Sequence, residues 1–129
     1  MVLCLKAWKS RSLPGFDFIM YFSIIIPVYN EELNIEKLLD EISKSLKKND
    51  YDYEIVVIDD ASTDSTLSII KNLNKNKVLN LSIIENKSNI GQSLSLVKGI
   101  KFSKHKTIIT IEISFIKLII LAMTYSSLP

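Results

Sequence analysis

Two carboxylates stand side by side at Asp59 and Asp60, directly after the run Glu54-Ile55-Val56-Val57-Ile58. A second run, Ser23-Ile24-Ile25-Ile26-Pro27-Val28, ends in the same manner, in Tyr29, Asn30, Glu31 and Glu32. A carboxylate in such a position can accept hydrogen bonds from a ribose hydroxyl or from the N–H groups of a base. Adjacent carboxylates also repel, so the pair calls for a compensating partner. The alternative is that one of them only caps the following turn through backbone N–H groups. The pair alone does not separate these readings; the polar end of the earlier run favours a nucleotide. A third segment, Asn89-Ile90-Gly91-Gln92-Ser93, supplies a glycine that can turn tightly beside such a ligand. The plainer alternatives are an ordinary loop glycine at Gly91 and a core aromatic with a wet hydroxyl at Tyr29.

Apolar runs of this length read as strands buried on both faces, and open parallel sheets bind ligands at the carboxyl ends of their strands. The first strand is predicted over Ser23 to Val28, with Pro27 near its end because proline cannot donate to a ladder. Ile35, Leu38, Leu39, Ile42 and Leu46 then share one helical face, with Asn30 or Asn34 as its cap. Glu54 to Ile58 is the second strand. Asp64 is placed to cap a second helix through Leu67, Ile70 and Leu73. Leu79, Leu81 and Ile83 alternate with polar residues in a third strand that has one wetter face. Asn89-Ile90-Gly91 leads into a third helix with Leu94, Val97 and Ile100 inward, and Thr107 to Ile111 is the fourth strand. Alternation of this kind implies right-handed crossovers and a parallel, three-layer α/β sheet.

Three other folds with acids at strand ends are excluded by their missing parts. A dinucleotide-binding Rossmann domain needs a glycine-rich first turn, but that turn is Pro27-Val28-Tyr29-Asn30-Glu31. A P-loop needs Gly-Lys-Ser/Thr, which the chain lacks. A response-regulator receiver needs an aspartate at the end of a later strand, where this chain has Glu85 and Glu112. At 129 residues, 47% hydrophobic and 23% charged, the chain suits one domain with a core of its own. A net charge of +2 from nearly balanced signs argues against a nucleic-acid partner. Cys4 is the sole cysteine, so no internal disulfide forms and a reducing compartment fits. His105, the sole histidine, lies between lysines and reads as solvated, as do Lys101, Lys104 and Lys106.

In order and on the expected elements, the three motifs resemble the start of a family 2 glycosyltransferase domain, the group that includes dolichyl-phosphate mannose synthases and other polyprenyl-phosphate sugar transferases. The resemblance runs from about Tyr21 to Ile111. It implies a nucleotide-diphospho-sugar transferase fold, GT-A and Rossmann-like, with a mostly parallel sheet. It also implies site residues. The Pro-x-Tyr-x-Glu pattern that lines the nucleotide pocket matches Pro27, Tyr29 and Glu31. The second-strand pattern matches Ile58 and Asp60, with Asp59 adjacent, and the Asn-x-Gly segment matches Asn89 and Gly91. The ligands so implied are a nucleotide-diphosphate sugar and, in intact relatives, a polyprenyl-phosphate acceptor. That acceptor suggests a cytoplasmic protein working at the inner face of the membrane, with weak membrane association.

The resemblance breaks where the family places an Asp-x-Asp motif, whose carboxylates hold magnesium or manganese against the donor diphosphate. Here Glu112 and Ser114 occupy that spacing, and serine is a poor substitute for a carboxylate. No later acid follows, and the apolar tail from Ile113 to Met123 is interrupted by Lys117, against the ~20 residues of a membrane span. Three segments are therefore expected: a disordered leader over 1–20, the N-terminal part of the transferase domain over 21–112, and an aberrant apolar tail over 113–129. On this reading the domain is truncated after its fourth strand, no metal is bound, and the chain is an inactive donor-binding half. The alternative is a non-catalytic module that binds a nucleotide or a partner.

Overall fold

The computed structural model describes residues 21–47, 51–76 and 79–113. The leader lies outside the described residues, and so does the tail beyond Ile113. β-Branched residues dominate β1 (Tyr21–Val28) and β2 (Asp52–Asp59), and both are buried along almost their whole length. They pair in parallel, with Ser23 opposite Glu54 and Val28 opposite Asp59. β3 (Leu81–Glu85) pairs parallel to β2, and β4 (Ile108–Thr110) pairs parallel to β1. The sheet order is β3-β2-β1-β4. A helix separates each strand from the next: α1 (Ile35–Leu46), α2 (Thr66–Lys75) and α3 (Gln92–Phe102). The parallel three-layer α/β architecture expected from the sequence is the one found.

Several boundaries differ in detail. β1 and β2 begin earlier than expected, and β3 begins at Leu81 and not at Leu79, ending at Glu85 as expected. β4 is short, but the Ser23 N–H donates to the Thr107 carbonyl and the Ile111 N–H to the Ile25 carbonyl, so pairing spans the expected residues. Neither Asn30 nor Asn34 caps α1 through its side chain. Asn34 Nδ2 donates to Glu31 Oε2 at 2.8 Å, and Asn30 serves a neighbouring loop. Asp64 does serve the start of α2, accepting from the Thr66 N–H at 2.9 Å from just outside the cap residue Ser65.

Strand alternation divides the core in two. Phe22, Ile24, Ile26, Val28, Ile55 and Val57 face α1 and α2, where they meet Ile35, Leu39, Ile42, Leu46 and Ile70. Ile113, placed by the sequence reading at the start of the tail, is buried in this same cluster. Ile25, Val56 and Ile58 face the other way, toward Leu96 of α3.

The expected inward face of α3 is wrong. Leu94 is 57% exposed, Val97 45% and Ile100 40%, while Ser95 and Gly99 are buried against the sheet. The reason is closeness of approach. A Cβ built at Gly99 would collide with Ile25 Cγ2 and Ile58 Cδ1, so only small residues fit that stripe, and Leu94, Val97 and Ile100 turn outward.

At the amino ends of the strands, Ser23 Oγ donates to Glu54 Oε1 at 2.6 Å, and the Lys104 N–H donates to the same oxygen. His105 is held there too, its N–H 3.3 Å from Ser23 Oγ. Burial pushes the Glu54 carboxyl upward, but the bonds from Lys104 and Ser23 outweigh it, leaving a net value below the ordinary one.

Candidate functional site

β1 and β2 end in register, so the loops after them leave the sheet at the same edge. The Asp60 N–H donates to the Val28 carbonyl at 2.9 Å, and the Asn86 N–H to the Asp59 carbonyl at 2.9 Å. These bonds carry the ladders one step past the strands and bring the loop after β3 to that edge as well.

The first two loops are laced together. The N–H groups of Asn30, Glu31 and Glu32 donate to Ser62 Oγ, Thr66 Oγ1 and Asp64 Oδ2. In return, the N–H groups of Thr63 and Ser65 donate to Asn30 Oδ1 and Glu32 Oε2. Asn30 and Ala61 both take positive φ, 51° and 59°, where each loop turns. Such backbones persist only where surrounding bonds determine them.

Asp59 and Asp60 resolve their repulsion by facing opposite sides of the sheet. Asp59 follows the α1/α2 side, and its Oδ2 accepts from the Ser62 N–H at 3.1 Å within its own turn. That is the turn-capping role which the sequence reading left open for one of the pair. Asp60 follows the α3 side. Its Oδ1 accepts from Asn86 Nδ2 and the Ile90 N–H, and its Oδ2 from the Gly91 N–H, each at 2.9 Å. Burial pushes the Asp60 carboxyl upward. The bonds from Ile90, Asn86, Gly91 and Ser95 outweigh that effect, so it stays charged below the ordinary carboxylate range. The compensating partner is thus a set of three N–H donors, all on the loop that follows β3.

A cavity of about 270 Å³ opens where the loops meet. Of the residues that the resemblance singled out, Pro27, Tyr29, Glu31, Asp60 and Gly91 line it. Val28, Asn89, Gln92 and Ile113 complete the wall. Ile58 and Asp59 are not among the lining residues. Ile58 is buried beneath α3, and Asp59 is buried in its turn. Tyr29 is 46% exposed, so it is a wall of the cavity and not a core aromatic. Gly91 adopts φ 90° and ψ 158°, and nothing lies within 4 Å of a Cβ built there. Its requirement is backbone conformation, not space.

The residues that sequence reasoning missed are those holding the acids: Ser62, Thr66, Asn86 and Ser95. Asn86 had a readable signal, because it follows β3 as Asp60 follows β2. Ser95 and Gly99, four apart, also mark one small-residue face of α3. For metal the outcome is different. Among the described residues no group of three or more His, Cys, Asp or Glu side chains could hold an ion. Asp60, the buried carboxylate of the cavity, already accepts three N–H donors. The described residues thus present no ligand cluster of that size. Nor is any described helix long and apolar enough to cross a membrane.

Fold and cavity together define a parallel α/β domain with a cavity at the carboxyl edge of its sheet, the edge at which open parallel sheets bind ligands. The chain belongs to glycosyl transferase family 2, whose family model matches residues 23–112. It is 31% identical over 99 residues to a dolichyl-phosphate beta-glucosyltransferase of Dictyostelium discoideum, covering 72% of this chain and 30% of that protein. It is 33% identical over 100 residues to an undecaprenyl-phosphate 4-deoxy-4-formamido-L-arabinose transferase of Proteus mirabilis, covering 75% of this chain and 30% of that one. The chain thus spans about 30% of the length of these curated relatives. Among solved structures, S. aureus TarS 1-349 in complex with UDP-GlcNAc matches with a TM-score of 0.61 at 31% identity, covering 72% of this chain and 26% of that one. The mannosyltransferase PcManGT of Pyrobaculum calidifontis, solved with GDP-Man and Mn2+, shares the fold with a TM-score of 0.64 at 24% identity, covering 86% of this chain and 33% of its own.

Proposed function

We propose that this chain holds the nucleotide of a sugar donor in the cavity between Tyr29, Asp60 and Gly91, as the donor-binding part of a polyprenyl-phosphate glycosyltransferase. The observation that carries this reading is the placement of a charged, buried Asp60 beside a half-exposed aromatic ring at the carboxyl edge of the sheet. The Tyr29 ring offers a face on which a base can lie. A carboxylate offers about four acceptor positions; at Asp60 three take N–H groups and the fourth takes the Ser95 hydroxyl, so an N–H of the base or a ribose hydroxyl would share or displace the Ser95 bond. Glu31, its carboxylate tied to Asn34, presents a second acceptor on the same wall.

The intact reaction of this reading is attack by an acceptor oxygen on the anomeric carbon with loss of a nucleoside diphosphate. In the family a divalent metal neutralises that leaving group. The described residues supply binding and orientation but no metal set, so these 129 residues by themselves are read as binding without transferring. Glu112 and Ser114, in place of a carboxylate pair, favour that inactivity over full catalysis. They also keep open a non-catalytic nucleotide-binding module.

Calorimetric titration of uridine and guanosine diphosphates, with and without manganese, tests both parts. Weak binding that barely changes with metal is expected. A large metal-dependent gain would mean that Glu112 serves as a ligand. Transfer of labelled sugar to a polyprenyl phosphate by the purified chain would overturn the inactivity.

A further inference from the structure

Asn86 joins a cation to the acid of the cavity. Its Nδ2 donates to Asp60 Oδ1 and to Ser95 Oγ, both at 2.9 Å, and its Oδ1 accepts from Lys98 Nζ at 2.8 Å. Asn86 and Ser95 are buried, whereas Lys98 reaches the pair from the exposed side of α3. A primary amide can sit either way round, but an ammonium only donates. Lys98 therefore selects the orientation in which the amide oxygen faces it and the NH2 faces Asp60. Reversed, the amide would present its oxygen to a carboxylate and its NH2 to a cation. A buried polar network is strong only when every member is satisfied in this manner.

Asp60 passes the constraint on. The same carboxylate receives the N–H groups of Ile90 and Gly91, and Gly91 is the residue whose positive φ shapes that side of the cavity. Lys98, Asn86, Asp60 and Gly91 thus form one chain of contacts from the surface of α3 to the cavity wall.

We propose that Lys98 is a positioning residue of the donor site: by orienting the Asn86 amide it holds Asp60 and the Ile90–Gly91 backbone in the arrangement that receives the nucleotide. The proposal rests on the nucleotide-binding reading for its consequence, but not for its geometry. The rival role is direct contact between Lys98 and the diphosphate.

The experiment compares the full chain with Lys98→Met and with Lys101→Met, which removes a charge from the same helix away from Asn86. Two readouts are taken: amide resonances and hydrogen exchange of Ile90 and Gly91, and titration with uridine and with uridine diphosphate. Lys98→Met is expected to shift both amides and lower their protection about tenfold. It is also expected to weaken uridine and uridine diphosphate alike, by roughly threefold to tenfold. Lys98→Arg restores both readouts, and Lys101→Met changes neither. Unchanged amides in Lys98→Met overturn the proposal, as does a loss confined to the diphosphate, since that is the signature of direct phosphate contact. If the parent chain binds neither ligand, the donor-site reading fails, and the amide comparison still decides the positioning role.

Discussion

The two faces of the sheet are built on different principles. On the α1/α2 face, Phe22, Leu39, Ile42 and Leu46 are packed at full size and almost wholly buried. On the α3 face, Ser95 and Gly99 let the helix lie directly on Ile25 and Ile58, and Leu94, Val97 and Ile100 point away. Burial of apolar surface scales with side-chain size, so the first face carries most of the hydrophobic stabilisation. The second face gives up that gain for closeness. Its closeness puts Ser95 within reach of Asn86, and so couples α3 to Asp60. Stability and site geometry are thereby assigned to opposite sides of one sheet.

The most direct way to break this division is a cavity on the thick face. Leu39→Ala should cost about 2–5 kcal/mol in urea unfolding. If the division holds, the amide resonances of Ile90 and Gly91 stay where they were while stability falls. A shift of those amides would show that the two faces are not independent.

Gly99→Ala probes the thin face. The added methyl has no room and should cost about 1–3 kcal/mol. Here the loss of stability should be accompanied by movement of the Ile90 and Gly91 amides, because α3 must lift. Equal cost with a silent loop would remove the argument for close approach.

Acid should also separate the two ends of the strands. Glu54 and Asp60 both sit below their ordinary values of 4.5 and 3.8. A group whose folded value is depressed stabilises the fold fully above its unfolded value, and that contribution is lost as pH falls through the folded value. Stability should therefore be level above the ordinary carboxylate range and decline below it. Asp60→Asn should reduce the slope of that decline in urea midpoints measured against pH, and Glu54→Gln should do so independently. An unchanged slope in both variants would show that these acids are not the linked groups.

The smallest effect on stability is expected on the outer side of α3. Leu94, Val97 and Ile100 are exposed, so replacing all three by serine should change folding stability by no more than about 0.5 kcal/mol per site. Solubility should rise, because a contiguous apolar patch is removed. A large stability loss, read in the same urea experiment, would mean that these side chains are covered by something in solution.

Much of this was open to inspection in the residue order. The runs ending at Val28 and Ile58 are dense in β-branched residues and bounded by polar ones, a local pattern that survives any packing arrangement. The five-residue apolar stripe of α1 has the same quality, and all five residues are buried. The placement of Tyr29, Glu31, Asp60 and Gly91 around one cavity followed from motif order together with the rule that parallel strands present their carboxyl ends to ligands.

α3 shows where that reasoning stops. Its large apolar residues recur at helical spacing, and spacing alone cannot tell a buried stripe from an outward one. The choice rested on how near the helix could come to Ile25 and Ile58, a distance between segments far apart in the chain. The division of labour between Asp59 and Asp60 is of the same kind. Two adjacent acids are alike in the sequence, yet strand alternation turns one into a turn and the other toward Asn86, Ile90 and Gly91. Periodicity and strand-end chemistry are properties of neighbouring residues, so the order of amino acids sets them. Which acid faces the cavity, and which amide and lysine hold it there, depends on contacts across 12 to 31 positions of the chain and on the space left after the sheet has packed.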